Sequence, residues 1–198
     1  MKPHRYWIVV VWLLGYGVCA QAAGPQKYSY WAETCSHPES GCQAEDPQLA
    51  AWALEAWQNA SGGTIEVARM SDPQHARIRI FWATAEQGLY GEARPVLVDG
   101  QRGAEVYVRP APFRTGDDKL LRDAIVYLTC LHEAGHALGL PHTAAFDDIM
   151  YSFQYGGDIP EYFGRYRRKL HARDDIHRNP GMSEADRRHL VDAIDTHQ

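Results

Sequence analysis

The chain has 198 residues, with 20 basic and 25 acidic side chains, a formal charge of −5, and 45% hydrophobic against 23% charged content. That length holds one domain with a buried core, and the ordinary composition excludes a disordered polar tail, a low-complexity polymer or a repeat array. The acidic balance argues against a nucleic-acid partner.

In chain order, Lys2, His4 and Arg5 precede the apolar run WIVVVWLLGYGVCA at residues 7–20, and small residues follow. A basic start, an apolar centre and the A-x-A pair Ala20 and Ala22 read as a signal peptide cleaved after Ala22. The competing reading is a retained anchor, but fourteen residues fall short of the ~20 that span a bilayer. Residues 1–22 are therefore expected to be a leader and 23–198 a single domain, in a secreted, periplasmic or otherwise extracellular protein. Losing Lys2 and Arg5 leaves 18 basic residues against 25 acidic ones, a formal charge of −7. No stable membrane insertion is expected once the leader is gone.

Cys35 and Cys42 bracket the turn-rich SHPESG, and in an oxidising compartment they are a candidate disulfide; two free thiols are the alternative. Tyr28, Tyr30 and Trp31 suggest a first strand. In DPQLAAWALEAWQNASGG, Asp46 is the expected N-cap, Pro47 the first helical residue and Gly62 the stop. Leu49, Trp52, Ala53, Ala56 and Trp57 fall on one helical face. Ile65 and Val67, then Ile78 and Ile80, alternate with polar neighbours as strands do. PVLVDGQRGAEVYV reads as two strands about a turn at Asp99-Gly100, or one extending to Gly103. A long helix follows from Asp117 or Asp118, with Leu121, Ala124, Ile125, Leu128 and Leu131 on its apolar side. Cys130 on that helix reads as a small buried hydrophobe. Strands followed by a buried helix predict an α+β domain.

That helix runs into HEAGHALGLPH, residues 132–142. His132 and His136, four apart on a helix, leave the same face on adjacent turns and can reach one ion at the ~2.0–2.1 Å of a zinc–nitrogen bond. Glu133 stands beside the first ligand, within reach of a metal-bound water without being a ligand. Gly139 can take the left-handed conformation that ends a helix, and Pro141 prevents its continuation. His142 then returns from another direction as a third ligand, with a fourth position left for water. A helix merely rich in histidine explains His132 and His136 but not Gly139.

HEAGHALGLPH resembles the extended zinc signature of the metzincin metallopeptidases, and DDIMY resembles their Met-turn, with Met150 beneath the metal. Among metzincins the chain is most similar to the matrixins. Thr143 stands where that family favours Ser, and Tyr151 directly follows the Met as it does there. ALEAWQNASGGTIEV is similar to the first matrixin helix and strand, and MSEADRRHLVDAI to the closing helix. GLYGEARP resembles the edge strand that pairs with bound peptide, which makes Leu89, Tyr90, Gly91, Glu92 and Ala93 candidate substrate-binding residues.

The resemblance implies a zincin-like fold: a twisted, mainly parallel sheet with an antiparallel edge strand, an active-site helix and a C-terminal helix. It implies one catalytic zinc on His132, His136 and His142, and Glu133 as general base of an exported, monomeric zinc endopeptidase acting on peptides or proteins. A non-catalytic, exported, zinc-dependent peptide-binding module is the rival reading. No segment resembles the matrixin propeptide cysteine motif. Residues 95–108 carry no His and few carboxylates, so a second zinc is not expected and calcium is left open. Residues 152–181 lie outside the resemblance; their Arg165, Arg167, Arg168, Lys169 and Arg173 form either a solvated helix face or a patch that steers acidic substrates.

Overall fold

The computed structural model describes residues 24–84, 90–112, 114 and 116–196; the expected leader 1–22 lies outside them. The element order is α+β: β1 (Gln26–Ala32), α1 (Asp46–Ala60), β2 (Ile65–Arg69), β3 (Ile78–Trp82), β4 (Gly91–Val98), β5 (Gln101–Val108), α2 (Lys119–Ala137), α3 (Ile159–Arg167), α4 (Asp174–Arg178) and α5 (Glu184–Thr196). The five strands form one sheet in the order β2-β1-β3-β5-β4, parallel throughout except for β4, which runs antiparallel to β5. No helix among the described residues is long and apolar enough to cross a membrane.

Period-two alternation sets the buried face of the sheet. Tyr28, Tyr30 and Ala32 of β1, Ile78, Ile80 and Trp82 of β3, and Ala104, Val106 and Val108 of β5 all turn inward. Against them pack α1, through Leu49, Ala53, Leu54 and Trp57, and α2. The indole N–H of Trp57 donates to Leu131 O at 2.8 Å and ties the two helices together. The hairpin turns on two residues, with Asp99 at φ 50° and Gly100 at φ 75°, the left-handed pair that a two-residue turn with the twist of its strands requires. The GEARP part of GLYGEARP and PVLV, read apart in sequence, belong here to the single strand β4.

Two sequence expectations need correction. Asp46 is not the N-cap of α1: Glu45 occupies that place without a side-chain cap, and Asp46 is the first helical residue. Its carboxylate accepts from Gln43 N–H at 2.9 Å and pairs with Arg122 of α2, so it is not free to cap its own helix. The apolar side of α2 is also broader than a single stripe. Ala124, Leu128 and Leu131 are buried as expected, but so are Val126, Tyr127, Thr129 and Cys130. The reason is tertiary: α2 is covered by α1 and the sheet and also contacts α3, an element the periodicity did not announce. Asp118 caps α2 by accepting from Leu121 N–H at 3.0 Å, as one of the two starts considered requires. Cys35 and Cys42 are joined as a disulfide, and Cys130 is a buried free thiol.

Candidate metal centre

The last turn of α2 is closed by a Schellman arrangement, in which the amide two residues beyond the cap bonds back across five residues. Gly139 N–H donates to His136 O at 2.9 Å and Leu140 N–H to Gly135 O at 3.0 Å. Gly139 sits at φ 101°, where a side chain is strained. The chain then reverses and brings His142 against the helix it has just left.

Three imidazole nitrogens converge there. Nε2 of His142 lies 3.2 Å from Nε2 of His132 and 3.1 Å from Nε2 of His136. A tetrahedral ion bound at ~2.0–2.1 Å would hold its ligand atoms about 3.3–3.4 Å apart, close to what is found. The opposite ring nitrogens fix the tautomers. His132 Nδ1 is 2.6 Å from Ile149 O and His136 Nδ1 is 2.8 Å from Leu140 O. A carbonyl only accepts, so Nδ1 carries the proton in both rings and Nε2 presents a lone pair inward, as metal-binding histidines do. Burial, together with its imidazole neighbours, lowers the pKa of His132 to about 4, and burial lowers those of His136 and His142. With the lone pairs of His132 and His136 fixed inward and His142 Nε2 within 3.2 Å of both, a cation at their meeting point removes the repulsion between them. The residues fit a single zinc-like ion.

Met150 is fully buried, with its sulfur against Gly135 of α2. Its segment is held from two sides. Thr143 N–H donates to Met150 O at 2.8 Å, and Ser152 N–H returns to Thr143 O at 3.1 Å. From α5, the buried Asp186 accepts Ile149 N–H at 3.0 Å and Met150 N–H at 3.4 Å. The same carboxylate accepts Ser183 N–H at 2.8 Å while Ser183 Oγ accepts Asp186 N–H at 3.0 Å, a reciprocal capping box in which aspartate replaces the usual Glu or Gln. Sequence reasoning had no role for Asp186; the S-x-x-D spacing at the start of α5 was its one visible sign.

Glu133 opens onto a cavity of about 530 Å³ beside the triad, whose walls include Leu128, Thr129, Phe153, Tyr162 and Phe163. No protein donor among the described residues hydrogen-bonds its carboxylate. Burial, with the charge of Glu92 adding to it, pushes the Glu133 carboxyl from 4.5 up to about 8. Folded and metal-free, the protein keeps a proton on Glu133 that the unfolded chain has lost. This group's contribution to stability therefore falls as pH rises from 4.5 to 8 and is level outside that window. His132 acts oppositely: its penalty is complete below about pH 4 and gone above 6.5. Metal-free Glu133→Gln is thus expected to melt with wild type near pH 4 and several degrees above it beyond pH 8. A difference in Tm that does not change with pH would contradict this.

The candidate strand reaches the same cavity. Tyr90 and the first three residues of β4, Gly91, Glu92 and Ala93, line it, at the edge of the sheet; Leu89 lies outside the described residues. Gly91 is where β4 meets Glu133. A Cβ there would stand 2.5 Å from Glu133 Oε1 and 2.8 Å from Thr129 Cγ2. Gly91→Ala is expected to leave metal binding unchanged but to displace strand and carboxylate from each other. A shift of that kind costs catalysis about 10–100-fold; retention of full activity would show that the close approach is incidental.

Residues 152–181 supply α3 and α4, and the wall residues Phe153, Tyr162 and Phe163 that the sequence did not single out. The ring packing among Phe146, Tyr151, Phe153, Tyr162 and Phe163 is foreshadowed only by the aromatic density of this stretch. Its basic residues are largely engaged within the chain: Arg165 pairs with Asp147, Arg167 with Asp118, Arg168 with Glu161 and Arg173 with Asp123. That arrangement favours the solvated, self-paired helix face over a steering patch. No family model matches the chain, and no curated protein matches it.

Proposed function

We propose that this chain is an exported zinc-dependent endopeptidase of metzincin type, most similar to the matrixins. The observation that carries the reading is the convergence of three imidazole Nε2 atoms, two of them with the tautomer fixed by backbone carbonyls, beside the buried Glu133 carboxylate and the edge strand β4. His132, His136 and His142 would hold one zinc. When bound, such an ion supplies Lewis acidity, bringing the ionisation of water toward pH 7 and polarising a carbonyl.

The residues of the chain do the rest. An extended peptide adds to β4, and main-chain bonds to Gly91 and Ala93 set its register. The apolar cavity of Leu128, Tyr162 and Phe163 takes the side chain that follows the scissile bond and excludes water around it. Glu133 removes a proton from the attacking water onto its carboxylate, then delivers it to the departing amine nitrogen. With an ion held by the triad, Glu133 would be ionised when needed, while its burial would keep it basic enough to accept the proton.

The rival, a zinc-dependent binding module without catalysis, needs no general base, and Glu133 is present and buried in the cavity. Incubation with a mixed peptide library, with and without a zinc chelator and with zinc restored, separates the two. Chelator-sensitive cleavage that zinc restores is expected; saturable binding with no cleavage under any condition would establish the module instead. Because the α3 arginines are paired internally, cleavage is further expected to vary by less than about twofold between low and high salt. A steep fall with salt would revive electrostatic steering.

A further inference from the structure

We propose that Tyr162, in the segment outside the metzincin resemblance, is a positioning residue for the ligand His132, acting through the Ile149 carbonyl; this rests on the triad being a metal site. The Tyr162 hydroxyl donates to Asp148 O at 3.0 Å and to Ile149 O at 3.3 Å. Ile149 O is also the acceptor that fixes His132 Nδ1 at 2.6 Å. The N–H of the same residue is held by Asp186. Ile149 is thus tied on its amide by α5 and on its carbonyl by α3, and the imidazole hangs from that carbonyl.

The tyrosine cannot easily let go. Its ring is buried, packed edge-on against Phe146 at 5.6 Å and Phe153 at 5.2 Å. Arg165 covers it with its guanidinium 4.6 Å from the ring centre and pairs with Asp147, one residue before the first carbonyl that Tyr162 holds. With the ring seated, the hydroxyl has those two carbonyls as acceptors. They in turn are kept in the orientation that sets the tautomer and direction of a metal ligand. Removing such an outer partner typically weakens metal binding by about 10–100-fold.

Tyr162→Phe keeps the ring and deletes the hydroxyl. Tyr166→Phe, on the same helix, is the control: that hydroxyl donates to Asn179 O at 2.6 Å and touches neither carbonyl. Both variants are expected to lose similar, small amounts of thermal stability. The zinc dissociation constant, measured by competition with a chromophoric chelator, should rise about tenfold in Tyr162→Phe and less than twofold in Tyr166→Phe. In metal-free protein the His132 Nδ1–H proton resonance should exchange faster in Tyr162→Phe alone. If Tyr162→Phe does not fold, Arg165→Leu loosens the seat of the ring from the outside and should raise the constant about threefold. A folded Tyr162→Phe, or in its absence Arg165→Leu, with wild-type zinc affinity overturns the inference while leaving the metal site intact. Failure of the wild-type protein itself to bind zinc would overturn both.

Discussion

Glu133→Ala is expected to keep its zinc, one ion per chain, and to lose peptide cleavage by about 10²–10⁴-fold. The separation follows from the geometry. Glu133 lies on α2 next to His132, but its carboxylate is not among the three converging nitrogens and receives no hydrogen bond from the described residues, so its removal leaves the tautomer-fixing contacts of His132 and His136 in place. It also deletes a carboxyl that burial penalises, so the fold should not suffer. Glu133→Asp adds a graded test: retracting the carboxylate by one methylene preserves charge and burial but moves the base away from the strand at Gly91, and activity should fall between that of alanine and wild type. A Glu133→Ala protein that holds zinc and cleaves at the wild-type rate would remove the general base from the mechanism.

The largest expected effect on stability lies far from the histidine triad. Asp46→Ala should lower unfolding free energy by about 3–5 kcal/mol, measurable by urea titration. Arg122 and Asp46 are both almost wholly buried. Their two-pronged contact joins the first turn of α1 to the first turns of α2, with Arg122 Nη2 2.6 Å from Asp46 Oδ2 and 3.1 Å from Gly41 O. Arg122 Nε has no hydrogen-bond partner among the described residues, so the guanidinium depends largely on that carboxylate. Alanine at position 46 leaves a buried cation with the Gly41 carbonyl at 3.1 Å and Asp123 at 3.5 Å. Removing both charges together, as Asp46→Leu with Arg122→Met, should cost far less than the single change, because the penalty comes from the orphaned charge rather than from the absence of a pair. A single variant as stable as wild type would mean that water reaches Arg122 freely.

Local rules made much of the molecule readable. The alternation at Ile78 and Ile80, the Asp99-Gly100 turn and the Asp118 cap each depend on one or two neighbours, and each is found where those neighbours place it. At the candidate metal centre the spacing of His132, His136, Gly139 and His142 contained the helix, its end and the reversal. What was hidden depends on partners distant in sequence. Asp46 looked like a cap because nothing near it names Arg122, 76 residues on. Asp186 and Tyr162 hold the Met150 segment across 36 and 14 residues, and no local pattern distinguishes a carboxylate that grips a remote backbone from one facing solvent. The cavity wall was missed for the same reason: Tyr162 and Phe163 sit in a stretch whose charges drew attention away from its aromatics.

The free edge of β4 has a further consequence, for self-association. In the antiparallel pairing Pro95 stands opposite Ala104, whose amide is turned to Arg77 O on the far side of β5. The alternation of the ladder then turns Gly91, Ala93 and Pro95 outward. Proline has no amide hydrogen to offer. A chain zipping along this edge meets complete partners at Gly91 and Ala93 and loses a donor at Pro95, short of the exposed Leu97. The edge is thus long enough to grip a few residues of peptide, yet interrupted before it becomes a template on which two copies could propagate a shared sheet. An open strand is tolerated here because it is a short one in all but length.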